Sequence, residues 1–121
     1  MSELRSAGRS EAAAQPATVT RAGEGATLRF PWGAIQWLCN AEIDPAAQQT
    51  LGLVYILPGQ KNPLHLHPNC EELLFVLSGA CEHSLDGAVY PLEAGSMIRI
   101  PAGAAHDARN TGWEPVRKLI C

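Results

Sequence analysis

Gly59-Gln60-Lys61-Asn62-Pro63-Leu64-His65-Leu66-His67-Pro68-Asn69-Cys70-Glu71-Glu72-Leu73-Leu74-Phe75-Val76-Leu77-Ser78-Gly79 decides how this chain is read, together with a second stretch, Gly95-Ser96-Met97-Ile98-Arg99-Ile100-Pro101-Ala102-Gly103-Ala104-Ala105-His106-Asp107-Ala108-Arg109-Asn110. Side chains alternate across a strand, so an extended backbone puts His65 and His67 on one face. Pro63 and Pro68 bracket them and bias Asn62 and His67 toward extended geometry. Glu72 opens the next apolar run and can turn its carboxylate to the same point. His106 follows a Pro-x-Gly turn that ends another run, and a closed β fold brings it across to the first stretch. A lone histidine or glutamate is usually a surface or satisfied core residue. Four such donors inside two glycine-framed stretches point instead to ligation.

Three imidazoles and one carboxylate suit one divalent transition metal. Imidazole favours Zn, Cu, Fe and Ni, and a carboxylate extends the range toward Mn. Structural zinc usually has cysteine-rich tetrahedral sites, which this set is not. On a six-coordinate ion the four donors leave two positions for water, substrate or dioxygen, and open positions are what metal-assisted catalysis needs.

Outward from these stretches the pattern is of short apolar runs: Thr27 to Phe30, Ala34 to Cys39, Leu51 to Leu57, Glu72 to Leu77, Cys81 to Leu85, Val89 to Leu92, Met97 to Ile100 and Val116 to Ile120. Pro58-Gly59, Ser78-Gly79, Asp86-Gly87 and Ala94-Gly95 punctuate them, and Asp86-Gly87 is a hairpin signal. Many short strands divided by turns predict an all-β sandwich or barrel. The one helical candidate, Asp44 to Gln49, is read as a loop with a turn of helix. Met1 to Gly25 is rich in Ala, Ser, Gly, Glu and Arg and poor in large apolar side chains. Such a stretch cannot offset its conformational entropy by burial. It is therefore expected to be a flexible N-terminal tail, residues 1–25, with a brief helical turn near Glu11 to Ala14, preceding one domain over residues 26–121.

Composition narrows the function classes. The chain has 121 residues, 46% apolar and 17% charged, with a formal charge of -3. This is a globular balance without the basic footprint of a nucleic-acid binder. The longest apolar run, near Leu51 to Leu57, falls well short of a membrane span. Arg residues near the N-terminus precede no apolar segment, so no signal peptide is expected. Cys39, Cys70, Cys81 and Cys121 form no C-x-x-C pair and are expected to be free thiols in a cytoplasmic protein.

The two stretches resemble the two cupin motifs. The first has the glycine, the H-x-H pair, the glutamate and the closing glycine. The second has Gly95, Pro101, Gly103, His106 and Asn110 in place. The resemblance covers roughly Thr27 to Cys121 and implies a small single-domain cupin: an antiparallel double-stranded β-helix, or jelly-roll barrel, with the metal inside one mouth. It implies His65, His67, Glu72 and His106 as ligands of one divalent ion per chain, Fe, Mn, Ni or Zn. Glu72 rather than Glu71 fits the spacing to Gly79, and Asn110 is expected to be structural. The activity it implies is on a small organic molecule. An Fe(II)- or Mn(II)-dependent dioxygenase-like reaction is the first reading, with metal-dependent isomerase or lyase chemistry and a non-catalytic sugar or effector module as alternatives.

Other residues near the motifs have two readings each. Cys70 is either a reactive thiol beside a cation or a plain loop cysteine. His83 is read as a solvent-facing histidine, Arg99 as either a carboxylate clamp or a surface residue. Trp32, Trp37, Trp113, Tyr55 and Phe75 are candidate pocket walls, although core or interface packing is the expectation for most of them. No catalytic base stands out. The Leu73 to Leu77 run is apolar on both faces, so its outer face needs cover, and a homodimer is expected to provide it.

Overall fold

The computed structural model describes residues 16–121, so the helical turn expected near Glu11 to Ala14 lies outside the described residues. Nine strands follow in order: β1 (Ala26–Phe30), β2 (Gly33–Cys39), β3 (Leu51–Ile56), β4 (Glu72–Ser78), β5 (Ala80–Leu85), β6 (Ala88–Glu93), β7 (Met97–Ile100), β8 (His106–Asn110) and β9 (Val116–Ile120). All pairings between these strands are antiparallel. A six-stranded sheet, order β1-β2-β3-β9-β4-β7, faces a three-stranded sheet, order β6-β5-β8. This is the all-β jelly-roll barrel that the two motifs imply. The Asp44 to Gln49 segment makes turns, with Asp44 Oδ1 accepting from the Ala46 amide at 3.0 Å, and no strand or helix.

Strand alternation builds the core. Val54 and Ile56 from β3, Leu74 and Val76 from β4, Cys81 from β5, Ile100 from β7, Ala108 from β8, and Val116 and Ile120 from β9 all turn inward. The opposite face of β4 stays partly in water, with Leu73, Phe75 and Leu77 between 36% and 39% exposed. β5 and β6 join through Asp86-Gly87, with φ of 48° and 89°. Both residues sit in the left-handed region that a two-residue primed turn requires. Gly79 sits at φ 83°, and a Cβ there would meet Pro115 O at 2.9 Å and Val116 Cα at 3.1 Å. Gly79→Ala is expected to cost about 1–3 kcal/mol from backbone strain and the clash together, read as a lowered urea midpoint with unchanged m-value.

Residues 16–25, the end of the stretch read as a tail, hydrogen-bond to the barrel. Thr20 Oγ1 donates to Leu38 O at 2.8 Å, Gln36 Nε2 donates to Glu24 O at 2.6 Å, and the Thr18 hydroxyl donates to Asp44.

β8 is a strand that no apolar run in the sequence marks. Its sequence, His-Asp-Ala-Arg-Asn, has little intrinsic strand preference. Backbone pairing on both sides makes it one. β5 pairs along its whole length, and the segment from Gly59 to His65 runs along its other edge. There the Gly59 amide donates to Asn110 O at 3.0 Å, Asn110 to Gln60 O at 2.9 Å, Asn62 to Ala108 O at 3.2 Å, and His65 and His106 exchange bonds of 3.0 and 2.8 Å. This register is what joins the two motif stretches.

Candidate metal centre

The His65–His106 bridge places two imidazoles side by side, their ring centroids 4.2 Å apart. His67 follows on the same face, 5.2 Å from the His65 ring and 5.6 Å from the His106 ring. Its carbonyl accepts from the Gly103 amide at 2.7 Å, which ties it to the turn before His106. Glu72 begins β4 and points inward, in phase with Leu74 and Val76. Its neighbour Glu71 points out, 57% exposed, and pairs with Arg99 at 3.0 Å. One ligand atom from each of His65, His67, Glu72 and His106 lies within 4.8 Å of the other three. The four residues named from the sequence thus come together and could hold a metal ion.

The hydrogen bonds around the rings fit such an ion. His65 Nδ1 is 2.7 Å from Pro63 O, and His106 Nδ1 is 2.9 Å from Ala104 O. A carbonyl oxygen only accepts, so each Nδ1 holds a hydrogen, and in the neutral ring each Nε2 keeps its lone pair. That anchoring is usual for a metal-binding histidine. His106 Nε2 then lies 3.1 Å from Glu72 Oε1, and His67 Nε2 3.8 Å from the same oxygen. A cation placed among them would accept the Nε2 lone pairs and balance the carboxylate charge together. Burial pushes the His65 imidazolium below its usual range, which the Pro63 hydrogen bond only partly offsets, and a neutral ring is the form that ligates.

The cluster opens onto a cavity of about 340 Å³. Phe30, Trp32, Ile35, Trp37, Val54, Leu74 and Ile120 make it mainly apolar, and Phe30 stacks on Trp32 with centroids 4.9 Å apart. Of the five aromatic candidates, Trp32 and Trp37 line it. Tyr55 packs under Arg117, Phe75 lies on the outer face of β4, and Trp113 is 96% exposed. Phe30 lines the cavity as well, and nothing in its run signals that this end meets the mouth. Arg99 lies outside this cavity, on the surface with Glu71. Cys70 is exposed, and it lines a neighbouring depression with His67 and Glu72. All four cysteines are unpaired thiols. Asn110 is structural: its Nδ2 donates to Ile56 O at 2.8 Å and Glu114 O at 2.7 Å.

His83 corrects the sequence reading. It does not face solvent but is 1% exposed, inside the barrel, with Nε2 3.0 Å from Lys118 Nζ. β5 alternates Cys81 and His83 inward, and that periodicity overrides the polarity of the ring. Lys118 is also 1% exposed and lines the cavity. Its sequence signal is its place in the inward phase of β9, between Val116 and Ile120. Burial pushes the Lys118 ammonium down to about 8. Burial, then the nearby Lys118 charge, pushes His83 down to about 3.

With this fold and site in view, comparison with known proteins places the chain. The cupin domain family matches residues 52–120, and the chain belongs to that family. It is similar to a polyketide synthase protein, CurC, of Streptomyces cyaneus, 39% identical over 70 residues, covering 58% of this chain and 46% of that one. It is also similar to quercetin 2,3-dioxygenase of Bacillus subtilis, 41% identical over 92 residues, covering 74% of this chain and 26% of that one. The chain thus spans less than half the length of either relative. Among solved structures it matches the oxalate decarboxylase of Lactobacillus farciminis with a TM-score of 0.72 and 26% identity, over 78% of this chain and 30% of that one.

Proposed function

We propose that this cupin binds one divalent transition metal through His65, His67, Glu72 and His106 and acts on a small organic molecule in the adjoining cavity. The observation that supports this most is the convergence of four donors within 4.8 Å, with two imidazoles held at Nδ1 by backbone carbonyls. Within that reading we favour an Fe(II)- or Mn(II)-dependent dioxygenase-like reaction. The likeness to quercetin 2,3-dioxygenase over 74% of the chain favours it, as does a donor set that leaves ligand positions open. A bound ion would act as a Lewis acid and redox centre. The protein supplies the rest. His65 and His106 keep their Nε2 lone pairs directed inward, Glu72 contributes the anionic charge, and Trp32, Trp37 and Ile35 exclude water from an apolar substrate.

The test is elemental analysis of protein purified without a chelating tag, followed by oxygen uptake with a panel of catechols, flavonols, thiols and diketones. Substoichiometric metal overturns the site. Full metal with no oxygen consumed overturns the oxygenase and favours isomerase, lyase or binding roles. His67→Ala is expected to lower metal content and melting temperature together, since an ion that binds only the folded state stabilises it.

We further propose that a second copy covers the outer face of β4 and its neighbour β7, where Leu73, Phe75 and Met97 are 38%, 39% and 55% exposed. Sedimentation at micromolar concentration is expected to give a dimer, and Phe75→Glu a monomer. A monomeric wild type removes the idea.

A further inference from the structure

Lys118 lines the cavity without belonging to the histidine cluster. It comes from β9 in the six-stranded sheet, and its partner His83 comes from β5 in the other sheet, so the pair spans the barrel. Val116 and Ile120 flank it on its own strand, both buried. Among the described residues no carboxylate forms an ion pair with it. His83 brings no counter-charge, and its Nδ1 has no hydrogen-bond partner. An ammonium removed from water with no carboxylate in ion-pair reach costs several kcal/mol, and a buried lysine lowers that cost by releasing its proton more readily. Lys118 lines the mainly apolar cavity, and the fraction of a desolvated amine that has released its proton is a nucleophile.

We propose that Lys118 binds aldehydes and ketones covalently, as imines, in the cavity beside the histidine cluster. The Nζ lone pair adds to the carbonyl carbon, and the C=O π pair passes to oxygen. Both Nζ protons move to that oxygen, which leaves as water, and a C=N bond remains. No oxidant, reductant or further reactant is needed. Walls that exclude water favour the imine over its hydrolysis. Trp32, Trp37, Ile35 and Phe30 select a carbonyl compound with an apolar or aromatic body. His83 is a positioning residue, holding Nζ at 3.0 Å from its ring. Glu72 acts on both sites, so the test is run on chelator-treated and metal-loaded protein in parallel and either idea can fail alone.

The chain supplies its own reference, because its only lysines are Lys61 and Lys118. Lys61 is 45% exposed and paired with Asp107. The full chain at pH 8 is treated with benzaldehyde and sodium cyanoborohydride, and each lysine is followed by peptide mass spectrometry. Lys118 is expected to be benzylated about tenfold faster than Lys61 in the folded protein, and both at similar rates in guanidinium. His83→Gln is expected to slow Lys118 at least threefold and leave Lys61 unchanged. Labelling of Lys118 no faster than Lys61 in folded protein overturns the proposal, since the denatured sample shows that the peptide is detected. An unchanged Lys118 rate in His83→Gln overturns the positioning role.

Discussion

His106→Ala is expected to strip the protein of bound metal and to destabilise it more than His65→Ala or His67→Ala. Of the three histidines, His106 alone is fully buried, at 1% exposure. It begins β8, holds Ala104 O through Nδ1 at 2.9 Å, and faces Glu72 through Nε2 at 3.1 Å. Truncation leaves a void, an unpartnered carbonyl and a partly buried carboxylate without its neighbour, together about 2–4 kcal/mol. The linked contribution of the ion goes too, about 4 kcal/mol where free metal is a thousandfold above its dissociation constant. Metal per chain and the melting temperature with and without chelator are the measurements. Chelator should lower the wild-type melting temperature and leave the variant unmoved. Wild-type metal content in His106→Ala would remove this residue from the ligand set.

Lys118→Met is expected to raise stability at neutral pH and to flatten its rise at alkaline pH. The folded protein holds the Lys118 ammonium down to about 8 against an ordinary value of 10.5. Between those values the unfolded chain binds the proton and the folded chain does not, so wild-type stability increases with pH through that window. The full gain is about 3 kcal/mol. Below pH 8 the folded protein bears the whole burial penalty, which methionine of similar volume removes. Nζ lies 3.0 Å from His83, and the charges of Cys81 on β5 and Glu72 on β4 also act on it. His83, held down to about 3, acts on the acid side, and stability falls as pH drops below 6.5. Burial raises the Cys81 thiol above its usual 9, so Cys81 opposes the alkaline rise. The difference between wild type and variant cancels most of that term. Urea unfolding from pH 6 to 10.5 measures it. A difference that does not shrink across the alkaline window would mean that Lys118 is not a buried amine in solution. The expected gain on substitution also makes the amine a burden on the fold, as functional groups in cavities often are.

Much of the strand pattern could be read without coordinates. Eight of the nine strands correspond to apolar runs, because a side chain that must face the core repeats every second residue. The Asp86-Gly87 turn was equally plain, since few residues tolerate two consecutive positive φ angles. β8 was hidden because hydrogen bonds to β5 and to the Gly59 to His65 segment make it a strand, and apolar side chains play little part. Arg99 had two open readings, and the partner that settled it, Glu71, lies 28 positions away.

The four candidate donors could be named from the sequence. Residue type and alternation put His65 and His67 on one face, and the resemblance to the first cupin motif, through the spacing to Gly79, singles out Glu72 over Glu71. Tertiary structure decided everything that depends on opposite sheets meeting. The antiparallel register between His65 and His106 closes the cluster, and the approach of β9 to β5 buries Lys118 against His83. Local preference acts over a few residues, whereas these contacts join positions 41 and 35 apart through backbone pairing and core packing, which no short window of sequence contains.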